Sequence, residues 1–576
     1  MDILKLSDEK LKLARDMLNS GFEENKDGFI PLSSDKQKVL VSISNGKMRA
    51  VTFTGTGNSI ETAFQSARGK ALKYCEEKIF IPKMTLISFV SSERRVPFIE
   101  FLRDVNQTKS FYYRTGISFD EFYQFAFLEQ ELNGHAIINW KTPANSDKRK
   151  FTNGFHENGR NIPSINFKNI SLALRSRGLK KFNSVLDTKD TDEIILFSTK
   201  AVYIDSTHSY NLASDGLQSG LRLSIFDDVD NRNFLIDLAK KNADYLLTTI
   251  HLDGSMVYGY FPWFGKTVPG YNTVRHCLSI MAFMEMYKLT NSVKYGEAAR
   301  KTYKYFFDTF TVETDDGLLA INDPANDNEI RLGALGLALV AMQMYSDIFN
   351  TDEDIEKAEK IAEMICSMQN AETGEFTHVL NYPDFTFKDH FRTVYYPGEA
   401  CYGLMRLYKK TKNARILETV KKAFDFFIEE HYETYSDHWL SYSVNELTES
   451  YPDDKYFEFG LKNVFEKIDF MLVRETTFST LLELLNAAYK MVERIKSLGK
   501  DYLLEPYDLN KFYKAIGKRV KFQANGIMFP EMAMFFSEPT KILYGVFIRH
   551  HTFRIRNDDV AHHLIGYCHY LENVLK

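Results

Sequence analysis

Three stretches decide how this chain reads: LSIMAFMEMYKLT (278–290), LGLALVAMQMYSDIF (335–349) and CYGLMRLYKKT (401–411). Each is apolar on most faces at helical spacing, the mark of a helix enclosed by protein on all sides. Alternating with them are FLIDLAKKNADYLLTTI (234–250), YGEAARKTYKYFFDTF (295–310), IEKAEKIAEMICSMQ (355–369) and ILETVKKAFDFFIEEHY (416–432). Their Lys and Glu stripes predict an outer layer with one face in water. Several of these outer helices run into the same kind of turn, Asp253-Gly254-Ser255-Met256, Asp316-Gly317-Leu318-Leu319 and Thr373-Gly374-Glu375-Phe376, where glycine supplies a left-handed cap. Thr290 and Thr411 occupy equivalent places two units apart, so the repeat is about 60 residues long.

Each unit is then an outer helix, a glycine turn, a loop of strand-like character and an inner helix. Further helices are expected at 438–449, 456–472, 478–496 and 559–575. About six such pairs close a ring, so the fold is expected to be mainly α, with a C-terminal (α/α)6-type toroid of helical hairpins over 232–576. Tetratricopeptide solenoids are the structural alternative, but their repeats are about 34 residues and lack these long loops.

Upstream the pattern changes. Residues 1–140 read as a smaller α+β domain: helical spacing from Leu4 to Leu18, a hairpin of VLVSISNG (39–46) and MRAVTFTG (48–55) turning at Asn45-Gly46, a helix from Ile60 to Glu77, and the strand MTLISFV (84–90). Residues 141–231 read as linker and connecting strands, with a polar stretch at 141–165 and the strand EIILFSTKAVYID (193–205).

A hydrophobic fraction of 44% in 576 residues is enough for large cores and excludes disorder. The net charge of −5 argues against a nucleic-acid binder, which needs a basic footprint to displace counterions. Five scattered cysteines without a CxxC pair point to reduced, buried thiols rather than disulfides or zinc. The charged N-terminus is unlike a signal peptide, and no apolar run approaches the ~20 residues of a membrane span, so a cytoplasmic protein without membrane contact is expected. Walker A, GxGxxG, GxSxG and HExxH sequences are absent, so neither cofactor nor metal is expected.

In a ring of hairpins the loops entering the inner helices converge on one mouth, and here those loops concentrate functional groups. The candidate catalytic residues are His276, Glu399, His438, Glu475 and His562. The candidate substrate-binding residues are Trp263, Tyr271, Arg275, Glu329, Arg331, Tyr395, Tyr396, Trp439, Arg474 and Arg554. Aromatic faces would stack on a sugar ring, carboxylates and imidazoles would move protons, and arginines with helix N-termini would hold an anion. The partner expected is a saccharide or another anionic or polyhydroxyl ligand.

Over about 340 residues the repeat pattern is similar to that of the six-hairpin carbohydrate-active proteins: N-acylglucosamine 2-epimerases, uronyl C5-epimerases and related glycosidases. The resemblance implies an enzyme acting on a sugar or uronic-acid unit, for instance in surface polysaccharide biosynthesis. Epimerisation would draw a histidine pair from His276, His390, His438 and His562. Hydrolysis would draw a carboxylate pair, about 5–5.5 Å or 6.5–9.5 Å apart, from Asp323, Glu329, Glu399, Asp437 and Glu475. The run Gly46-Lys47-Met48-Arg49-Ala50 before an alanine-containing helix resembles the AMMECR1-type domain, without its Gly-Cys. A non-catalytic toroid, docking a polymer or a protein partner through the N-terminal domain, is the alternative.

Overall fold

The computed structural model describes residues 28–32, 36–108, 111–141, 162–214, 216, 218–474 and 477–575. The helix expected from Leu4 to Leu18, most of the polar stretch at 141–165 and Glu475 lie outside them.

From Arg232 onward, outer and inner helices alternate as the repeat predicts. The outer ones are Arg232–Leu247, Val293–Phe310, Ile355–Ser367, Ala414–Glu429, Asp454–Phe465 and Leu509–Ala524. The inner ones are Thr273–Thr290, Leu332–Phe349, Tyr395–Thr411, His438–Ser450, Ser479–Ser497 and Asn557–Asn573. Each inner helix packs on the next, and the sixth packs on the first, which closes the ring. Because every inner helix is followed by an outer one that returns the chain, all six inner helices start at the same end.

The two layers differ as their sequences require. Leu332–Phe349 is buried without a break from Leu332 to Met344, whereas Ile355–Ser367 buries only one stripe. Leu332–Phe349 is long and apolar enough to cross a membrane, but its apolar surface is spent on neighbouring helices. It also approaches the third inner helix very closely. A Cβ on Gly336 would lie 2.3 Å from the Glu399 carbonyl oxygen, and one on Gly403 would lie 2.3 Å from that of Gly336. The turn glycines Gly254, Gly317 and Gly374 have φ of +100°, +83° and +87°, as a left-handed cap demands. All five cysteines are buried free thiols.

Three expectations need adjusting. The helix expected at 456–472 is two, Asp454–Phe465 and Ile468–Val473. The sixth inner helix starts at Asn557. The sixth outer helix, Leu509–Ala524, carries Gly517 and five lysines or arginines, which dilute its apolar stripe and hide it from a periodicity search.

The N-terminal sheet runs in the order Val51–Gly57, Gln37–Ser44, Met84–Pro97, Glu193–Asp205, Gly116–Ser118, Ala126–Phe127, with short strands Ile30–Pro31 and Ser209–Asn211 added to the long pair. Met84–Pro97 and Glu193–Asp205 pair along their whole length, so the sheet joins strands from both sides of the polar stretch. Period-two alternation sends Val39, Val41 and Ile43 against the helix Ile60–Lys78, and Leu40 to the other face. That other face packs on Met534 and Phe535 of the ring-forming half.

The sheet is therefore fastened to the ring. Arg222 donates through Nε and Nη2 to the two carboxylate oxygens of Glu531 at 3.0 and 2.9 Å, with its guanidinium between Tyr210 and Phe529. Arg49, from the Gly46–Ala50 turn, donates to the carbonyls of Gly134 and Trp263. Both partners of the Arg222–Glu531 pair are buried, so removing one strands the other charge. We expect Arg222→Ala to lower unfolding free energy by about 3–5 kcal/mol, measured by urea denaturation of the full chain. A loss near that of an exposed ion pair would show that the two halves are not mechanically joined there.

Candidate active site

The fourth inner helix begins where Asp437 caps it, accepting from the Trp439 and Leu440 amides at 3.2 and 3.1 Å. Asn463 fixes Asp437 from behind through both its amide and its carbonyl. The cap places His438 at the first helical position, with Nδ1 3.1 Å from Asp437 Oδ1. Its other nitrogen, Nε2, is buried and has no hydrogen-bond partner among the described residues.

Across the axis, His562 lies one turn into the sixth inner helix, its ring centroid 5.1 Å from that of His438 and nearly perpendicular to it. His562 Nδ1 is 2.7 Å from Glu483 Oε1. Glu483 is fully buried on the fifth inner helix, and its Oε2 accepts from the Tyr442 hydroxyl at 3.0 Å. Trp439 stands 4.7 Å from His438 and 6.0 Å from His562, and Tyr395 packs edge-on against His438. The pair of imidazoles thus sits within an aromatic wall.

Charge around the pair is arranged in sign order. Burial works against protonation of His562, but Glu483, Asp558 and Asp559 more than offset it and hold its pKa above the ordinary histidine value. Burial alone would raise Glu483, and the three histidines His562, His438 and His569 bring it below its usual range. Asp558, which burial alone would raise, is held at about 2 by Arg556, Arg275 and His562; it accepts from Arg275 Nε at 2.8 Å. Asp558 and Asp559 also stand in the first turn of their helix, where the backbone dipole favours anions. Burial, with Asp437 nearby, pushes Glu399 well above the carboxylate range, and its Oε2 has no hydrogen-bond partner among the described residues.

A second polar group adjoins this one. Arg331 bridges Asp323 at 3.0 Å and Glu329 at 2.7 Å, and Glu329 also meets Lys388 and Arg392. Against its burial, these cations hold Glu329 at about 2. Tyr396 packs over His378 beside this cluster.

Of the residues proposed from sequence, His438 and His562 form the pair, Trp439 and Tyr395 pack on it, Arg275 bonds Asp558, and Glu399 lies near Asp437. Burial, with Arg556 and Arg275 near it, lowers Arg554 to about 10, and its Nη2 lies 2.9 Å from His551. Four others are placed differently. His276 turns into the outer layer, Nε2 2.9 Å from the Thr302 carbonyl and the ring against Tyr305 and Phe306; burial holds it at about 4. Tyr271 bonds His276 and packs on Phe310. Trp263 is buried and donates Nε1 to the Asn133 carbonyl at 2.7 Å, so it plugs the junction with the N-terminal sheet rather than offering a stacking face. Arg474 lies over Phe470 and Phe478, while Arg519 holds its carbonyl. Glu483 was missed. Its signal was a lone carboxylate amid Leu481, Leu482, Leu484 and Leu485, a charge on an otherwise apolar face.

His438, Glu483 and His562 each offer one donor atom within 4.8 Å of the others. Two of the three donors, His562 Nδ1 and Glu483 Oε1, are also within hydrogen-bond distance of each other.

No protein-family model and no curated protein matches the sequence. Among solved structures, a D-mannose isomerase shares 13% identity over 60% of this chain and 99% of its own, with a TM-score of 0.47. A cellobiose 2-epimerase from Bacillus thermoamylovorans shares 12% over 59% of this chain and 100% of its own, at 0.45. An unsaturated glucuronyl hydrolase specific for heparin shares 10% over 59% and 98%, at 0.43. The likeness is one of fold.

The Glu483–His562 pair makes a stability prediction. The folded pKa of His562 lies above its unfolded value, so its contribution is complete below ~pH 6.5 and is lost as pH rises through the folded value. The stability difference between the wild type and His562→Gln should therefore shrink on going from pH 6 to pH 9, measured by urea titration. A difference that grows with pH would contradict the pairing.

Proposed function

We propose that this chain moves a proton at the carbon beside the carbonyl of an open-chain sugar, as an epimerase or isomerase does. One observation carries the reading: two imidazoles lie with ring centroids 5.1 Å apart, one with a buried nitrogen that has no partner among the described residues and the other bonded to Glu483. His438 Nε2 takes the carbon-bound proton, and the electron pair of the broken C–H bond forms the double bond of an enediolate. His562 returns a proton, to the opposite face of the same carbon for epimerisation or to the neighbouring carbon for isomerisation. Trp439 and Tyr395 supply apolar walls for the sugar, and Arg275 and Arg554 favour an oxyanion or a uronate.

Hydrolysis by a carboxylate pair fits less well. Asp323 and Glu329 are tied up by Arg331, Lys388 and Arg392, and Asp437 is engaged as a helix cap.

Incubation with a panel of reducing sugars and uronates in D2O should replace the C2 proton of at least one of them, read by proton NMR. His438→Asn should slow that exchange by about 10²–10⁴-fold, the usual worth of a positioned acid or base, with little change in melting temperature. No exchange with any sugar, or a folded His438→Asn as fast as the wild type, would contradict the reading.

A further inference from the structure

The Glu483–His562 pair does not end at Glu483. Tyr442, which donates to Glu483 Oε2, has its hydroxyl 3.2 Å from His569 Nδ1 as well. His569 Nε2 in turn lies 3.5 Å from Glu285 Oε1. Five side chains from the first, fourth, fifth and sixth inner helices thus form one line. His562 and His569 are seven residues apart on the same helix, so the line descends about 10 Å along the ring axis, away from the mouth. It ends at a polar cavity of about 80 Å³ at the far end of the inner helices, lined by Glu285, Tyr442, Asn445, Asn486 and His569 among others. That is room for a few waters. The groups facing His562 are Glu483 on the fifth helix, His438 and Trp439 on the fourth, and Asp558 and Asp559 on its own.

We propose that Glu483, Tyr442 and His569 form a proton relay connecting His562 to solvent in the cavity at the far end of the ring. For a proton leaving the site, the His562 Nδ1–H bond breaks as Glu483 takes the proton. The carboxyl group, turned toward Tyr442, passes it to the phenol oxygen while the phenol gives its own proton to His569 Nδ1. The His569 Nε2 proton then goes to cavity water, leaving the other tautomer of His569. One proton has moved, no group is oxidised or reduced, and the reverse passage restores the start. Glu285 beside His569 Nε2 stabilises the imidazolium on the way. Buried polar groups in an unbroken chain polarise one another, which favours this over stepwise charge separation.

The use of the relay rests on the acid–base reading; its existence does not. A two-base reaction leaves His438 protonated and His562 neutral, and a bound sugar blocks the mouth. In the reverse reaction His562 Nε2 takes the carbon-bound proton, and a path from the far end would then remove its Nδ1 proton without release of the sugar.

The test uses the full chain labelled with 15N-histidine and no sugar. The His562 Nδ1 proton is assigned by its loss in His562→Gln, and its exchange with water is measured by saturation transfer. We expect Tyr442→Phe and His569→Gln each to slow that exchange by about tenfold or more and the double variant to slow it no further, as for links of one chain. Unchanged exchange in a folded variant would mean that water reaches His562 through the mouth, and would overturn the relay. Should Tyr442→Phe fail to fold, His569→Gln reads the same path from farther away. Failure here leaves the sugar chemistry standing, and failure of the sugar assay leaves this measurement intact.

Discussion

A ring of six helix pairs closes only if every inner helix touches two inner neighbours, and the sixth must reach back to the first across nearly three hundred residues of intervening chain. This chain meets the condition with near-continuous apolar inner helices and with backbone contact at Gly336 and Gly403, where no side chain intervenes. Closure has two consequences. The N-termini of all inner helices converge on one mouth, so the caps and first turns that begin them become a wall of polar groups. The axis is also too narrow for the helices to fill with backbone, so whatever side chains point inward must satisfy one another.

That second consequence explains the electrostatics. Glu483, His562, Tyr442, His569 and Glu285 are charged or polar groups deep in protein, where an unpaired charge is expensive and a paired one is at best neutral in stability. Well-packed apolar residues would hold the ring as well. Their presence is better explained by chemistry than by folding. The same contrast separates the two histidines at the mouth from His276 and His563. The latter pair face outward and bond the carbonyls of Thr302 and Gln523 through Nε2; Tyr271 meets the other nitrogen of His276, while His563 Nδ1 has no partner among the described residues and lies away from the mouth. Among the described residues His438 keeps one nitrogen without a partner, and His562 is bonded by a carboxylate brought from another helix.

Much of the ring was legible because helical periodicity and glycine caps are local signals. The second inner helix was expected through 335–349, and the structure runs it from Leu332 to Phe349. The site was legible only in part, since nothing local says which way a residue at a helix start will turn. His276 and His438 look alike in sequence; Tyr271 and Thr302 draw one ring outward, while Asp437 keeps the other at the mouth. Trp263 sat in a glycine- and proline-rich loop that suggested a platform, but its partner, Asn133, belongs to the N-terminal half and could not be foreseen. Glu483 announced itself only as a charge among leucines. The long pairing of Met84–Pro97 with Glu193–Asp205 spans a polar stretch of unpredictable reach, and so had no local trace.

The central claim is that an open-chain sugar is held between His438 and His562. The most direct measurement is a crystal structure with a hexitol, a reducing sugar's chain without its carbonyl. The account predicts the C2 carbon roughly 3–3.5 Å from His438 Nε2, with Trp439 or Tyr395 against the carbon chain. Electron density for a cation between His438, Glu483 and His562, or a hexitol bound elsewhere with the imidazoles unoccupied, would contradict it.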